Sequence, residues 1–498
     1  MENETVRRVT KNAAFRFIGN VLSVLLAFFS SVLVARILGR NDYGILSITL
    51  TILNTALLFS DLGVSQTTTY FIPKLGKDKA KLKYFLSKML SIKILITIFT
   101  AFLIFIFSEN IAVFFKIEEL RYVLKIFSFT FILYALFNYF YSVFQGFENI
   151  KYCMYQDIAL SIAKFIPLIF VLIIADKLSG ATIGYLLLYT FVLFFTLLLF
   201  FKAHYITGIK EKKFFSDEIK KYAFFTFTFL ILAFIISNSI TLFLGYFKNP
   251  AEVSYFTISQ TIGSAINFVP AALSYALFPS ISRLLEEKKK RELQNALNKI
   301  IRYCIIISIP ASLVIFMLSK SIILFVYGSD FVLADNALKV TAIAFLIIGS
   351  TNWLNALFAG YGKMKLLSKI LSILALITIL SSLLLIPLFA SVGASLVLVI
   401  NEITFMLLSY YLLIKPEKLR IDKKIIIKSI ISTISMLFLL VPIHRCFFGI
   451  MEFIVTILIC IPFYFSLLYL IKGISKDDVL LFLNVLGFDR IKSILTKH

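Results

Sequence analysis

Residues 370–414 read ILSILALITILSSLLLIPLFASVGASLVLVINEITFMLLSYYLLI, and the only charge in the run is Glu402. A helix of ~20 apolar residues crosses a hydrocarbon layer of ~30 Å, so the run predicts two crossings, near 370–386 and 392–414. Comparable runs recur from Val21 to Ile471. Over all 498 residues, 60% are hydrophobic and 15% charged, against roughly 25% charged in soluble domains. So few charges cannot cover a water-facing surface, which excludes a soluble globular protein. Further helices are predicted near 12–35, 44–64, 84–107, 122–143, 158–175, 181–201, 222–243, 251–278, 303–319, 335–360, 425–443 and 450–471. Numbered in chain order as segments 1 to 14, they describe an all-α polytopic membrane protein of about 14 transmembrane helices.

The formal charge of +23 could suggest nucleic acid, so its placement matters more than its size. With the amino terminus inside, 35 of the 50 Lys+Arg fall in inner connections and termini, and 8 fall in outer connections. That asymmetry follows the positive-inside rule, and no nucleic-acid partner is expected. Both termini are then cytoplasmic, in the cytoplasmic (plasma) membrane. Arg7, Arg8 and Lys11 precede segment 1 as in a signal peptide, but the apolar stretch is long and no small-residue cleavage site follows it, so a retained helix is expected.

Several chemistries are excluded by what the connections lack. Cys153, Cys304, Cys446 and Cys460 show no CxxC spacing, and His204, His444 and His498 lie far apart, which leaves no metal or disulfide framework. No outer connection is much longer than 320–334, too short to fold into the catalytic face expected of a membrane glycosyltransferase or polymerase. The inner pieces 202–221, 279–302 and 472–498 carry no phosphate loop, against an ATP-driven pump. The work is expected inside the membrane, without enzymatic chemistry.

The chain also repeats itself. Phe144-Gln145-Gly146-Phe147-Glu148-Asn149-Ile150-Lys151 follows segment 4, and Phe358-Ala359-Gly360-Tyr361-Gly362-Lys363-Met364-Lys365 follows segment 10. Leu38-Gly39 and Leu244-Gly245 form a weaker echo after segments 1 and 7. These pairs predict two six-helix bundles, 1–210 and 211–415, in parallel repeat because six is even, with 416–498 adding two helices and a cytoplasmic tail. Transporters of this plan hold a cavity between halves.

Polar stripes suggest what lines such a cavity. Segment 1 places Arg16, Asn20, Ser23, Ala27 and Ser30 on one helical face; segment 8 repeats the spacing with Gln260, Ser264, Asn267, Ala271 and Ser274; segment 2 does so with Ser47, Thr51, Asn54, Leu58 and Asp61. Small and polar residues also let helices pack closely, but the equivalence of segments 2 and 8 in the repeat favours a shared lumen. Charges near the bilayer centre cost ~2.5–3.5 kcal/mol even on the insertion scale, so each needs a reason. Arg16 and Asp61 lie at similar depth and could pair, as a clamp or at a substrate. Lys88, Lys125 and Lys428 can snorkel, whereas Lys93, Lys164 and Lys339 lie deeper. The substrate-binding candidates are therefore Arg16, Asn20, Asn54, Asp61, Lys93, Lys164, Gln260, Asn267 and Lys339, and the ion-coupling candidates are Glu402 and Asp61.

The stretch Asn12 to Lys74, with Ala35-Arg36-Ile37-Leu38-Gly39-Arg40-Asn41-Asp42-Tyr43-Gly44 and Asp61-Leu62-Gly63, resembles the opening of the polysaccharide-transporter (Wzx-like) flippases, in the superfamily shared with multidrug and toxin extruders. Leu244-Gly245-Tyr246-Phe247, Tyr255 and Phe278-Pro279-Ser280 extend the likeness through about residue 415. Many relatives place an Arg near Tyr70 and an Asp near Ile240; this chain has neither, so roles assigned to those positions do not transfer. The resemblance implies alternating-access translocation of a polyprenyl-diphosphate-linked oligosaccharide. It implies no cofactor beyond a coupling H⁺ or Na⁺, and as partners the lipid-linked oligosaccharide, membrane lipids and glycan-assembly enzymes. The runner-up is an ion-coupled multidrug extruder.

Overall fold

The computed structural model describes residues 2–76, 78–174, 177–203, 216–287, 289–446 and 449–474. Among them there is no strand, and the predicted segments fall on helix over most of their described residues. Nine described helices are long and apolar enough to cross a membrane. Their exposed faces are apolar: Leu95, Phe99 and Phe102 line one side of Lys79–Ile106, and Leu376, Leu380 and Leu384 one side of Met364–Ser409. Outward apolar stripes at helical spacing fit hydrocarbon, which offers backbone groups no hydrogen bonds and so demands continuous helix. The protein is a multi-pass membrane protein.

Two long helices conceal turns. Glu2–Asp61 contains a non-helical residue at Gly39 (φ 76°), and Met364–Ser409 contains one at Ala390 (φ 50°). Twelve residues of straight helix would separate Ser31 from Tyr43 by ~18 Å. Their hydroxyls are 2.9 Å apart, so the chain folds back at Gly39. Likewise the Asn401 amide donates to Thr378 Oγ1 at 2.9 Å across the Ala390 turn. The Gly39 turn separates segments 1 and 2, and the Ala390 turn separates segments 11 and 12.

Other boundaries differ from the sequence reading. Segment 9 was expected from 303, yet its helix runs Lys290–Met317. Its first turns bury Leu293, Leu297 and Ile301 on one side and leave charges on the other, a periodicity that overall apolarity does not register. The connections near 108–121 and 320–334 are not plain loops: they hold the short helices Ser108–Phe115, Ser319–Val326 and a 3₁₀ stretch Ser329–Ala334.

The chain divides into two compact units. One takes in the described residues to Thr261 with Tyr327–Ala337 and Ser368–Asn401; the other takes in Ile262–Val326, Leu338–Leu367 and the described residues from Glu402. Within the first unit, connections following odd-numbered segments meet one another. Glu252 accepts the Ser391 N–H at 3.0 Å, Arg40 donates to the Tyr255 hydroxyl at 3.4 Å, and Tyr43 meets Phe331 edge to face. Connections following even-numbered segments meet separately. Lys74 pairs with Glu218 at 3.3 Å, and Tyr70 stacks on Tyr222 at 4.2 Å. Below them lies a core of Phe71, Ile72, Phe85, Tyr139 and Val143. In the second unit Gln294 exchanges two hydrogen bonds with the Arg420 backbone, Lys363 pairs with Glu417, and Lys428 donates to the Lys472 carbonyl. Again these are connections following even-numbered segments. This is the contact pattern of a chain that turns back at every connection.

The repeated octapeptides fold into one and the same turn. Asn149 N–H reaches the Phe144 carbonyl and Glu148 N–H the Gln145 carbonyl; Lys363 N–H reaches Phe358 and Gly362 N–H reaches Ala359. Both are Schellman closures with a left-handed residue at the fifth position, Glu148 (φ 56°) and Gly362 (φ 65°).

Candidate functional site

The first unit encloses a cavity of about 260 Å³, walled by segments 1, 2, 5, 6, 7 and 8. Segment 1 contributes Ala27, Ser30 and Ser31, segment 2 Ser47 and Thr51, and segment 8 Thr257 and Gln260. Parts of all three sequence stripes therefore converge. Ser47 and Thr51 donate to carbonyls of their own helix at 2.8 Å each, which leaves their oxygens facing inward as acceptors. The Ser30 hydroxyl donates at 3.3 Å to the Lys164 carbonyl, tying segment 1 to segment 5 at the residue that matters most electrically.

Lys164 is the one charge among the described lining residues. It is half-buried, and its ammonium makes no ion pair or hydrogen bond among the described residues. A half-buried cation without a described counter-ion is free to pair with an anionic ligand. Around it stand amides and hydroxyls: Asn238 donates to Ser237 Oγ at 2.8 Å, and Tyr43 shares a hydrogen bond with Ser31. Ser237, Asn238 and Thr241 were not among the candidates, although their spacing on segment 7 is the same helical-face signal read on segments 1, 2 and 8. Tyr185 was missed because a tyrosine in an aromatic-rich helix carries no such signal.

Asp61 sits elsewhere, in a closed arrangement. Lys93, wholly buried, places its ammonium 2.7 Å from Asp61 Oδ1. Ser65 gives the same oxygen its hydroxyl at 2.5 Å and gives Oδ2 its N–H at 3.2 Å. The Asp-Leu-Gly motif thus has a structural explanation. Leu62 (φ 44°) and Gly63 (φ 77°) break the helix, Asp61 caps the next one, Val64–Leu75, and a Cβ on Gly63 would stand 2.5 Å from the Ala223 carbonyl oxygen. Only glycine suits that backbone angle and that approach together. The pairing of Arg16 with Asp61 was expected from depth alone; Lys93 is the partner found, and the side chains of Arg16 and Asn20 lie outside the described residues.

The remaining candidates are dispersed. Asn54 accepts from the Tyr134 hydroxyl at 3.4 Å and does not line the cavity. In the second unit Asn267 accepts from Asn352 at 2.7 Å, Lys339 is half-buried, and Glu402, also half-buried, makes no hydrogen bond or ion pair among the described residues. That unit holds an apolar cavity of about 350 Å³ lined by Ile266, Ile306, Pro310, Val314, Ile457 and Tyr464.

Comparisons with known proteins agree with this architecture. A putative O-antigen transporter from Shigella flexneri is 23% identical over 351 residues, covering 68% of this chain and 81% of that protein. The capsular polysaccharide biosynthesis protein CapF of Staphylococcus aureus is 22% identical over 424 residues, 81% of this chain and 98% of its own. Among solved structures, the lipid II flippase MurJ in its inward closed conformation matches with a TM-score of 0.75 at 18% identity, over 90% of this chain and 97% of that one. The MatE family model matches residues 225–388, and the model described as polysaccharide biosynthesis protein matches residues 9–285. Because that last match spans more than half of the chain, the protein belongs to the polysaccharide biosynthesis protein family.

Proposed function

We propose that the protein is a flippase that carries a polyprenyl-diphosphate-linked oligosaccharide across the cytoplasmic membrane by alternating access. The observation that carries this reading is the polar cavity whose one described charge is the unpaired Lys164. Sugar hydroxyls entering hydrocarbon lose water without replacement, and the hydroxyls and amides of the cavity supply replacement partners. The Lys164 ammonium attracts the diphosphate, while the tail stays in lipid. No covalent chemistry is required. The names of the O-antigen transporter, of CapF and of MurJ support the same reading.

The finer assignments belong to this proposal. The face carrying Gly39 is extracytoplasmic and both termini are cytoplasmic, as the basic residues favour. Fourteen crossings form two six-helix repeats, 1–210 and 211–415, with 416–498 appended. Glu402 is the site where H⁺ or Na⁺ couples to transport, since an unpaired acid in an apolar helix binds either. Glycan-assembly enzymes supply the substrate. The extruder reading, which the MatE match favours, calls for carboxylates to receive cationic drugs, and the described cavity lining has none.

Purified protein in liposomes, given a fluorescent lipid-linked oligosaccharide, should move its headgroup inward to outward, with a rate that depends on an imposed pH or Na⁺ gradient. Glu402→Gln preserves shape and should remove that dependence while leaving the folded amount unchanged. Export of cationic dyes without any movement of lipid-linked glycan overturns the flippase reading; equal gradient dependence in Glu402→Gln removes the coupling role.

A further inference from the structure

The first unit has a second recess, of about 620 Å³, on the face carrying Gly39. Its charges nearly balance: Arg40 and Lys116 stand with Asp42, Glu119 and Glu252. Some of these are already spent on the fold, since Glu252 holds the Ser391 N–H and Arg40 the Tyr255 hydroxyl. Lys116 and Glu119 are different. Both are exposed, and neither side chain has an ion pair or hydrogen bond among the described residues. Neighbouring residues of one helical turn serve the two hollows, Tyr43 and Leu46 lining the cavity, Asp42 and Ile45 the recess. The two hollows thus share the start of segment 2.

We propose that this recess is a glycan subsite that selects lipid-linked oligosaccharides carrying no net negative charge. The proposal deepens the flippase reading and rests on it. A neutral sugar presents hydroxyls that both donate and accept, and a lining that mixes carboxylate, ammonium and the Asn249 amide serves both halves of that need. An acidic sugar would set its carboxylate among Asp42, Glu119 and Glu252, and like charges brought together discriminate by repulsion. The recess's own cations, Arg40 on the Tyr255 hydroxyl and Lys116, number two against three carboxylates, so one negative charge is in excess, and the Lys164 charge of the adjoining cavity is taken by the diphosphate.

The test uses the full chain in liposomes with two fluorescent polyprenyl-diphosphate oligosaccharides of equal length, one neutral and one with a single uronic acid. Wild type should move the neutral glycan about fivefold faster, the effect of one like charge at ~4 Å in a wet site. Glu119→Lys should shrink or invert that ratio, and Lys116→Glu should widen it; both positions are exposed, so folding is not at stake. Equal rates for the two glycans in wild type, or a ratio that neither variant moves, overturns the subsite. Movement of neither glycan in wild type removes the flippase reading, and the subsite falls with it.

Discussion

Lys93 and Lys164 look alike in sequence, each a lone cation deep in an apolar helix of the first unit, but the structure treats them oppositely. Lys93 is sealed against Asp61, which Ser65 also holds, at a helix break, whereas Lys164 faces a cavity with no acid among its described lining. A charge in hydrocarbon must be neutralised, and the difference lies in what neutralises it. The first pair is satisfied by the fold and has nothing left for a ligand. The second is left for a ligand to satisfy.

The largest expected effect follows from the sealed pair. Asp61→Ala or Lys93→Met should each cost about 3–5 kcal/mol, because removing one partner strands the other as an uncompensated buried charge. Thermal unfolding of detergent-purified protein should show both single variants strongly destabilised and the double variant recovering much of the loss. Full stability of either single variant would mean the pair does not hold the helix break, and the contrast with Lys164 would collapse.

An intermediate effect is expected at the open site. Lys164→Met should leave the yield and melting temperature near wild type, since no described partner is stranded. Translocation of lipid-linked oligosaccharide should fall about tenfold or more, the loss of one charge-assisted hydrogen bond of ~1.5–3 kcal/mol. A stability loss as large as that of Lys93→Met would reverse the assignment and make Lys164 structural.

The smallest effect sharpens the comparison at one hydroxyl. Ser65→Ala removes the 2.5 Å hydrogen bond to Asp61 but leaves the ammonium in place. It should lower stability by about 1.5–3 kcal/mol, as for hydrogen bonds to charged groups, without changing transport at a temperature where the variant is folded. A transport defect with unchanged stability would place Asp61 in the transport cycle after all.

Much of the fold was legible because hydrophobicity is a property of consecutive residues. The segments near 370–386 and 392–414, the turn at Gly39 and the matched octapeptides at 144–151 and 358–365 all rest on local signals, and each has its counterpart in Met364–Ser409, Glu2–Asp61 and the paired Schellman turns. Segment 9 escaped at its start because Lys290–Arg302 is amphipathic rather than apolar. Of the site candidates, Lys164 and Gln260 came together in the cavity, but the partnership of Asp61 with Lys93 was missed, because matched depth was judged only across the adjacent hairpin. Asn54 and Asn267 found single polar partners instead, on residues 80 and 85 positions away.

Which stretches are helices and where the chain turns follow from composition and period along the chain, since transfer into hydrocarbon acts on each segment separately. Which lysine is sealed and which is left open depends on residues brought together from distant segments, Asp61 with Lys93 and Ser30 with Lys164. A side chain buried against an acid and one facing a cavity have the same hydropathy and the same place in a helical period. Only packing, which sets what lies within 3 Å of each ammonium, distinguishes them.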